Sequence, residues 1–315
     1  MFGKTLLNGA SAAVVFVALG MFGADAHADA VRDASVNASA SALTGVAQAD
    51  TATAESASAW KTTLVSSADL SQGYYSNWVA GGSDNVTWVG NLDGSAKLNP
   101  KSYSWENNLK LAYGQSEVEG VDWIRKVADA IHADSTYTRK LNGWVNPYLG
   151  ATFDSQFQPG YDYSATTPQT RQEVSAFMDP GYLVESLGLG TGAGDWFHLR
   201  VGAAAQETFT QQFTSYAEGG EHPDGDRTRI EYGGTLSTGL KLSLAQNLLF
   251  TSDFTAFSNL EAYDQVQWKL NSMIAAKVNS WLSVHLAADS MFDKTQSTLT
   301  QFMETLSVNF SYNLL

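Results

Sequence analysis

From Thr305 to Leu314 the chain alternates without a fault. Leu306, Val308, Phe310, Tyr312 and Leu314 fall on one face, and Thr305, Ser307, Asn309, Ser311 and Asn313 fall on the other. Side chains of an extended strand point alternately to the two sides, so every apolar residue of this stretch lies on one side. A chain that ends this way must give one whole strand face an apolar environment. That requirement selects a sheet.

The same pattern recurs upstream. Val86, Trp88, Leu92, Ala96 and Leu98 oppose Asn85, Thr87, Asn91, Asp93, Ser95 and Lys97, and Tyr103, Trp105, Leu109, Leu111 and Tyr113 oppose Ser104, Glu106, Asn108 and Lys110. Phe197, Leu199, Val201, Ala203 and Ala205 alternate with His198, Arg200 and Gln206. Ile230, Tyr232, Leu236, Leu240, Leu242 and Leu244 alternate with Arg229, Glu231, Thr235, Ser237 and Lys241. Leu248, Phe250, Phe254 and Ala256 follow, then Val266, Trp268, Leu270, Ile274 and Val278, then Leu282, Val284, Leu286 and Phe292. Weaker candidates at 62–72, 126–137, 145–157 and 177–189 bring the total to about twelve strands, an even number as bacterial membrane barrels require. A soluble sandwich alternates too, but its strands average about five to six residues, and several of these runs pass ten. Trp88, Tyr103, Trp105, Trp268 and Tyr312 lie near strand ends, as interfacial girdles do. Short connections near Asn99, Asn142, Asn247 and Asn279 alternate with long ones near Asn77, Gly120, Ala165 and Gly220. The expected fold is all-β, an antiparallel transmembrane β-barrel of about twelve strands over residues 60–315. The terminal strand resembles the C-terminal signal of bacterial outer-membrane barrels, displaced by one residue because Leu315 trails Leu314.

Lys4, an apolar run from Ala10 to Phe22 and then Ala26-His27-Ala28 have the three regions of a secretory signal peptide, expected over residues 1–28. Residues 29–59 are rich in Ala, Ser and Thr and lack aromatics, so they are expected to be a disordered periplasmic leader. The net charge of −14 disfavours nucleic acid, and the absence of cysteine excludes disulfides and thiolate metal sites.

Arg125-Lys126 with Asp129, then Ser155-Gln156-Phe157-Gln158-Pro159-Gly160-Tyr161, then Phe177-Met178-Asp179-Pro180-Gly181-Tyr182 before Ser186-Leu187-Gly188-Leu189, resemble a domain-of-unknown-function family of bacterial outer-membrane β-barrels. Trp78, Gly81, Gly82 and Asn85 fit the start of that pattern. Ser155 stands where the family pattern leads us to expect threonine, and Asp179 and Gly181 flank the second proline. The resemblance implies location and fold, and it implies neither substrate nor catalytic residues.

Gly188, Gly190, Gly192 and Gly194 lack the spacing of a phosphate loop and are expected to form a flexible turn. The segment 218–226 gathers four carboxylates and His222, but without the ligand spacing of a calcium loop it reads as a solvated acidic loop. His285 and Asp289 share a strand face roughly 13 Å apart, too far for a catalytic hydrogen bond. Catalytic residues, cofactors and metal ligands are therefore expected to be absent, and the protein is not expected to be an enzyme. Loop aromatics such as Tyr74, Tyr75, Trp78, Tyr161 and Tyr163 suit packing as well as binding.

The polar strand faces supply the expected lumen lining: Asp93, Lys97, Glu106, Lys110, His198, Arg200, Glu231, Lys241, Asp253, Lys269, His285 and Asp289. Pairing Ala245 with Leu249 would set Lys241 opposite Asp253. Pairing Lys97 with Ser104 would set Ser95 opposite Glu106, leaving Lys97 diagonal to Glu106 and Asp93 diagonal to Lys110. Unpaired surplus carboxylates would favour cations. A charge at Phe310 or Tyr312 is expected to disrupt folding, and Asn309→Asp to be tolerated. The expected function is a narrow passive channel or transport barrel for small solutes. The alternative is a structural or binding barrel with a plugged lumen. The expected partners are outer-membrane lipid, lipopolysaccharide and, through the last strand, the barrel-assembly machinery.

Overall fold

The computed structural model describes residues 60–74, 83–121, 123–141, 143–162, 172–217, 225–260, 266–293 and 299–315. The expected signal peptide and leader lie outside these residues. So do Tyr75, Trp78, Gly81, Gly82, Tyr163 and most of the acidic loop with His222.

Fourteen strands follow in order: β1 (Lys61–Gly73), β2 (Asn85–Leu98), β3 (Tyr103–Val118), β4 (Arg125–Arg139), β5 (Asn146–Ser155), β6 (Gly160–Asp162), β7 (Gln172–Ser175), β8 (Gly181–Ala193), β9 (Phe197–Phe209), β10 (Thr228–Ala245), β11 (Leu248–Asn259), β12 (Val266–Lys277), β13 (Leu282–Phe292) and β14 (Gln301–Asn313). All but β6 and β7 form one closed barrel of twelve strands, each antiparallel to both neighbours, with β14 returning to β1. β6 and β7 make a small hairpin inside the β5–β8 connection. Closure leaves no sheet edge, so every strand finds backbone partners on both sides.

Five short connections gather at one end, together with Trp60 and Leu315, and the long connections gather at the other. The outer face carries the apolar set read from the alternation. Leu187, Leu189, Val201, Leu286, Leu306, Val308 and Phe310 are all exposed. Aromatic pairs mark two levels on it. Trp60–Trp105, Tyr103–Tyr137 and Trp281–Phe310 lie toward the short-turn end, and Trp88–Tyr113 and Phe254–Trp268 lie toward the other. Trp105 and Tyr113 are eight residues apart on β3, about 27 Å along the strand, or roughly 20 Å along the axis at a tilt near 40°. That is close to the apolar band of a membrane barrel.

Two features differ from the sequence expectation. β8 begins at Gly181 rather than Phe177, because Pro180 has no N–H to give to a ladder and Met178 stands at φ 55° in the turn before it. Gly188, Gly190 and Gly192 lie within β8 rather than in a turn, and only Gly194, at φ 59°, belongs to the β8–β9 turn. The strand glycines are bare because the interior is crowded beside them. A Cβ on Gly190 would meet Arg200 Cγ at 3.1 Å, and one on Gly202, the β9 partner of Gly188, would meet the Tyr148 hydroxyl at 2.8 Å.

The closing seam is held from inside. The β1–β14 ladder runs only from Val65↔Asn313 to Leu70↔Val308, and the chain end adds Leu314 N–H donating to the Leu64 carbonyl at 2.7 Å. Asp69 faces inward on β1. It accepts from Ser307 Oγ and Asn309 Nδ2 on β14, each at 3.0 Å, and from Asn91 Nδ2 on β2 at 2.9 Å. Asn309 is 0% exposed. This overturns the expected tolerance of Asn309→Asp: the facing is inward as expected, but the position is packed against a carboxylate. Asn309→Asp exchanges an amide donor for a second buried acid, and should cost at least about 2 kcal/mol. Heat or denaturant unfolding of the folded barrel, read by gel mobility, should show the loss, whereas the neutral Asn309→Ser should lose less.

Candidate functional site: the charged interior of the barrel

All twelve expected lining residues stand on the inner face by register. One perpendicular row reads Asp93–Lys110–His132–Asp154–Tyr182–Thr208–Arg229 across β2, β3, β4, β5, β8, β9 and β10. A second reads His198–Gly239–Asp253–Asn271–Asp289 across β9 to β13, and a third reads Arg200–Ser237–Thr255–Lys269 across β9 to β12.

The registers correct the expected pairings. Asp93 is directly opposite Lys110 and Lys97 directly opposite Glu106, while Ser95 faces Asn108. The closing pair of this hairpin is Leu98↔Trp105, because the neighbouring β4–β5 turn captures its connection. Lys140 donates its N–H to the Ser102 carbonyl at 2.9 Å and its Nζ to the Pro100 carbonyl at 2.8 Å. On β10–β11 a bulge between Ser243 and Ala245 shifts the ladder, so Lys241 faces Thr251 and Asp253 faces Gly239. The predicted direct pairing of Lys241 with Asp253 is not made.

The interior has two unlike sides. Along β13, β14, β1 and β2, Asp69, Asn91, Asp93, His285, Asp289 and Asn309 are buried, with Val65, Met273 and Ala275 filling the space toward the short-turn end. At Glu106, Lys110, His132 and Asp154 on β3 to β5, and at His198, Arg200, Lys241, Asp253 and Lys269 on β9 to β12, the charges are partly exposed, whereas Arg229 and Glu231 on β10 are buried. Lys97 Nζ lies 3.0 Å from Glu106 Oε1, and His132 Nδ1 lies 2.7 Å from Asp154 Oδ1. The Glu106 and Asp154 side chains remain 32% and 33% exposed. Thr255, in the middle of β11 and facing inward, is exposed. Two contacts cross the interior: Gln206 Nε2 on β9 donates to Gln267 Oε1 on β12 at 3.2 Å, and Lys97 also reaches Asp195 of the β8–β9 turn at 3.2 Å. Arg229 bridges Glu231 at 2.5 Å, and Asn259 donates to the same carboxylate at 2.7 Å.

His285 does not meet Asp289. Its Nε2 lies 3.0 Å from Ser283 Oγ and its Nδ1 3.5 Å from Asp69 Oδ1, a serine–histidine–aspartate string in outline. Ser283 and His285 are each 2% exposed, so no acyl group reaches the hydroxyl. The imidazole packs between β13 and β1, hydrogen-bonded to Ser283 on its own strand and facing the Asp69 carboxylate. Sequence reasoning did not name Asp69, His132, Asp154 or Asp195 as lining residues, and it set Asn309 inward without its partner Asp69. Asp69 had a usable signal, because it follows Val65 and Ser67 at period two.

The segments that carry the family resemblance build clamps at the loop end. β5 stops at Ser155, whose partner is Ile131, so Arg125–Ala130 of β4 have no β5 partner. Asp129 stitches this gap: its carboxylate accepts the Phe157 N–H at 2.6 Å and the Gln158 N–H at 2.7 Å. Lys126 Nζ joins Asp129 at 2.9 Å and the Gln158 carbonyl at 3.0 Å. Asp179 likewise accepts the Gln212 and Phe213 N–H groups, tying the β5–β8 connection to the β9–β10 connection. Tyr216 donates its hydroxyl to the Val174 carbonyl at 3.3 Å. Asp129 and Asp179 are both fully buried.

Residues 70–161 match a family described as a protein of unknown function (DUF3078). No curated protein matches the chain in sequence. Among solved structures, the chain is similar to the translocator domain of the autotransporter NalP from Neisseria meningitidis, with 8% identity and a TM-score of 0.37 over 86% of this chain and 92% of that one. It is also similar to an outer-membrane channel from Pseudomonas putida F1, with 11% identity and a TM-score of 0.36 over 80% of this chain and 94% of that one.

Asp129→Asn keeps the shape and removes the charge that holds two N–H groups, each such bond contributing about 1.5–3 kcal/mol. Segment 156–162 should then be cut faster by added protease, while thermal unfolding of the barrel stays nearly unchanged.

Proposed function

We propose that the protein is an outer-membrane barrel carrying a narrow, charge-lined passage for small hydrophilic solutes. The observation that carries this reading is the wet side of the interior: inward-facing Thr255 is exposed at mid-strand, among half-exposed Glu106, His132 and Asp154. Charges held in opposite-sign pairs let water enter without a strong barrier to either sign. The apolar outer face between two aromatic levels is what a bilayer requires, and a closed barrel is one of the two structures that satisfy every backbone group inside it. Residues 1–28 then serve as the export signal and 29–59 as a periplasmic leader, which places the short turns in the periplasm and the long loops outside. Lipid and lipopolysaccharide contact the outer face, and the terminal strand is what the barrel-assembly machinery would engage.

A second reading, a binding or structural barrel with a plugged interior, is favoured by the Lys97–Asp195 bridge under the short-turn mouth and by the Gln206–Gln267 contact. Planar-bilayer recording separates the two. The passage predicts small, discrete current steps from folded protein, and a heat-modifiable barrel that passes no current would establish the plug. The outer-face assignment has its own test. Leu306→Arg places a charge at mid-strand on the exposed face and should lower folding into liposomes by about 2–4 kcal/mol. An unchanged folded fraction would refute membrane contact there.

A further inference from the structure

We propose that the passage contains a binding site for a compact oxyanion, with the Lys110 and Lys241 ammonium groups as its donors, so that an acidic protein presents an anion-preferring constriction. The inference rests on the passage described above. Lys110 belongs to β3 and Lys241 to β10, five strands away around a barrel of twelve, so they stand on opposite walls. Both line one cavity of about 160 Å³ above the β8–β9 turn, with Asp195, Trp196, His198 and Asp253.

The charge balance in this cavity differs from that of the chain. Among the described residues neither the Lys110 nor the Lys241 ammonium closes a hydrogen bond or an ion pair. Asp195 is already held by Lys97 at 3.2 Å, and Glu106 by the same ammonium at 3.0 Å. Of the cavity's own carboxylates that leaves Asp253, while Asp93 stands opposite Lys110 in the β2–β3 register behind it. The bulge on β10 is the cause: it moves Lys241 opposite Thr251 and leaves Asp253 beside Gly239. A Cβ on Gly239 would lie 2.8 Å from Asp253 Oδ1, so the missing side chain keeps open the corner where Asp253 and His198 meet. Arg200, two residues beyond His198 on the same inner face, adds a further positive charge nearby.

Two ammonium groups facing each other across a confined, partly wet space attract an anion from both sides, and low-dielectric walls strengthen the attraction. Lysine suits a site that must also release its occupant, because its ammonium is a compact, strongly hydrated point charge with rotatable donors. Rings of such groups give anion and phosphate pores their preference. Within the cavity Lys97 already engages Asp195, so two ammonium groups stand against the single carboxylate of Asp253 there.

The test uses the full mature barrel, folded in detergent and in planar bilayers, with gel mobility confirming folding of each variant. The variants are Lys110→Gln, Lys241→Gln and the double substitution, with Lys241→Arg as the charge-conserving control. The probes are a KCl gradient and inorganic phosphate. Wild-type protein should show a reversal potential on the chloride side and phosphate-dependent block. The double variant should move toward cation preference and bind phosphate about tenfold more weakly by calorimetry, with Lys241→Arg near wild type. A cation-preferring wild type, or a double variant with unchanged reversal potential and phosphate affinity, would overturn the site. A folded barrel that passes no current overturns the passage instead. In that case lysine-dependent phosphate binding by calorimetry still supports the site, and binding that ignores both lysines refutes it.

Discussion

The structure depends on closing β1 onto β14. In a sheet that must satisfy every backbone group without help from water, an open edge would leave a row of donors and acceptors unpaired at several kcal/mol each. Yet the closing ladder, from Val65↔Asn313 to Leu70↔Val308, is the shortest in the barrel. The side chains supply what the ladder lacks. Asp69 sits at the seam and draws Ser307 and Asn309 from one neighbour and Asn91 from the other, so one carboxylate ties three consecutive strands. His285, one strand farther, approaches the same carboxylate at 3.5 Å. The amide and hydroxyl donors around this buried carboxylate replace the hydration it loses.

That seam divides the interior. Polar groups that must hold the closure are packed tightly against one another and leave no room for solvent. The opposite wall has no such duty, and there the charges need only neutralise their neighbours. Small residues on β8 and β9 make this possible. Bare Gly188, Gly190 and Gly202 let Tyr148 and Arg200 lie against the wall rather than project into the centre. The same economy at Gly239 accommodates His198 and Asp253. Side-chain volume is thus concentrated on one side of the interior and reduced on the other.

At the long-loop end a different device replaces the ladder. β5 is too short to cover the whole of β4, and the exposed stretch is sealed by a carboxylate accepting backbone N–H groups from a connection with no strand geometry of its own. Asp179 repeats the device between two connections. The residue patterns that resemble the outer-membrane family coincide with these clamps: Lys126 and Asp129 meet Phe157 and Gln158, and Asp179 precedes Pro180 at the entrance to β8. Here the pattern coincides with how a wall is finished.

The outer face was legible in the sequence because a bilayer-facing surface imposes a rule on each residue separately. Leu306, Val308 and Phe310 must each be apolar whatever their neighbours do, so period two survives along the chain. The interior obeys no such local rule. Asp69 and Asn309 are separated by 240 residues, and no spacing announces that they will share a bond. Registers fail for a related reason. The β2–β3 hairpin is widened because Lys140, from the next hairpin, claims carbonyls that its own turn would have used. The β10–β11 register turns on a single bulge near Ser243. Each displacement changes the partner of one lysine, Lys97 or Lys241, by two residues, which keeps both side chains on their expected face. The alternation therefore sets the twelve named residues on the inward face, yet which charge stands opposite which depends on a bulge that alternation does not record.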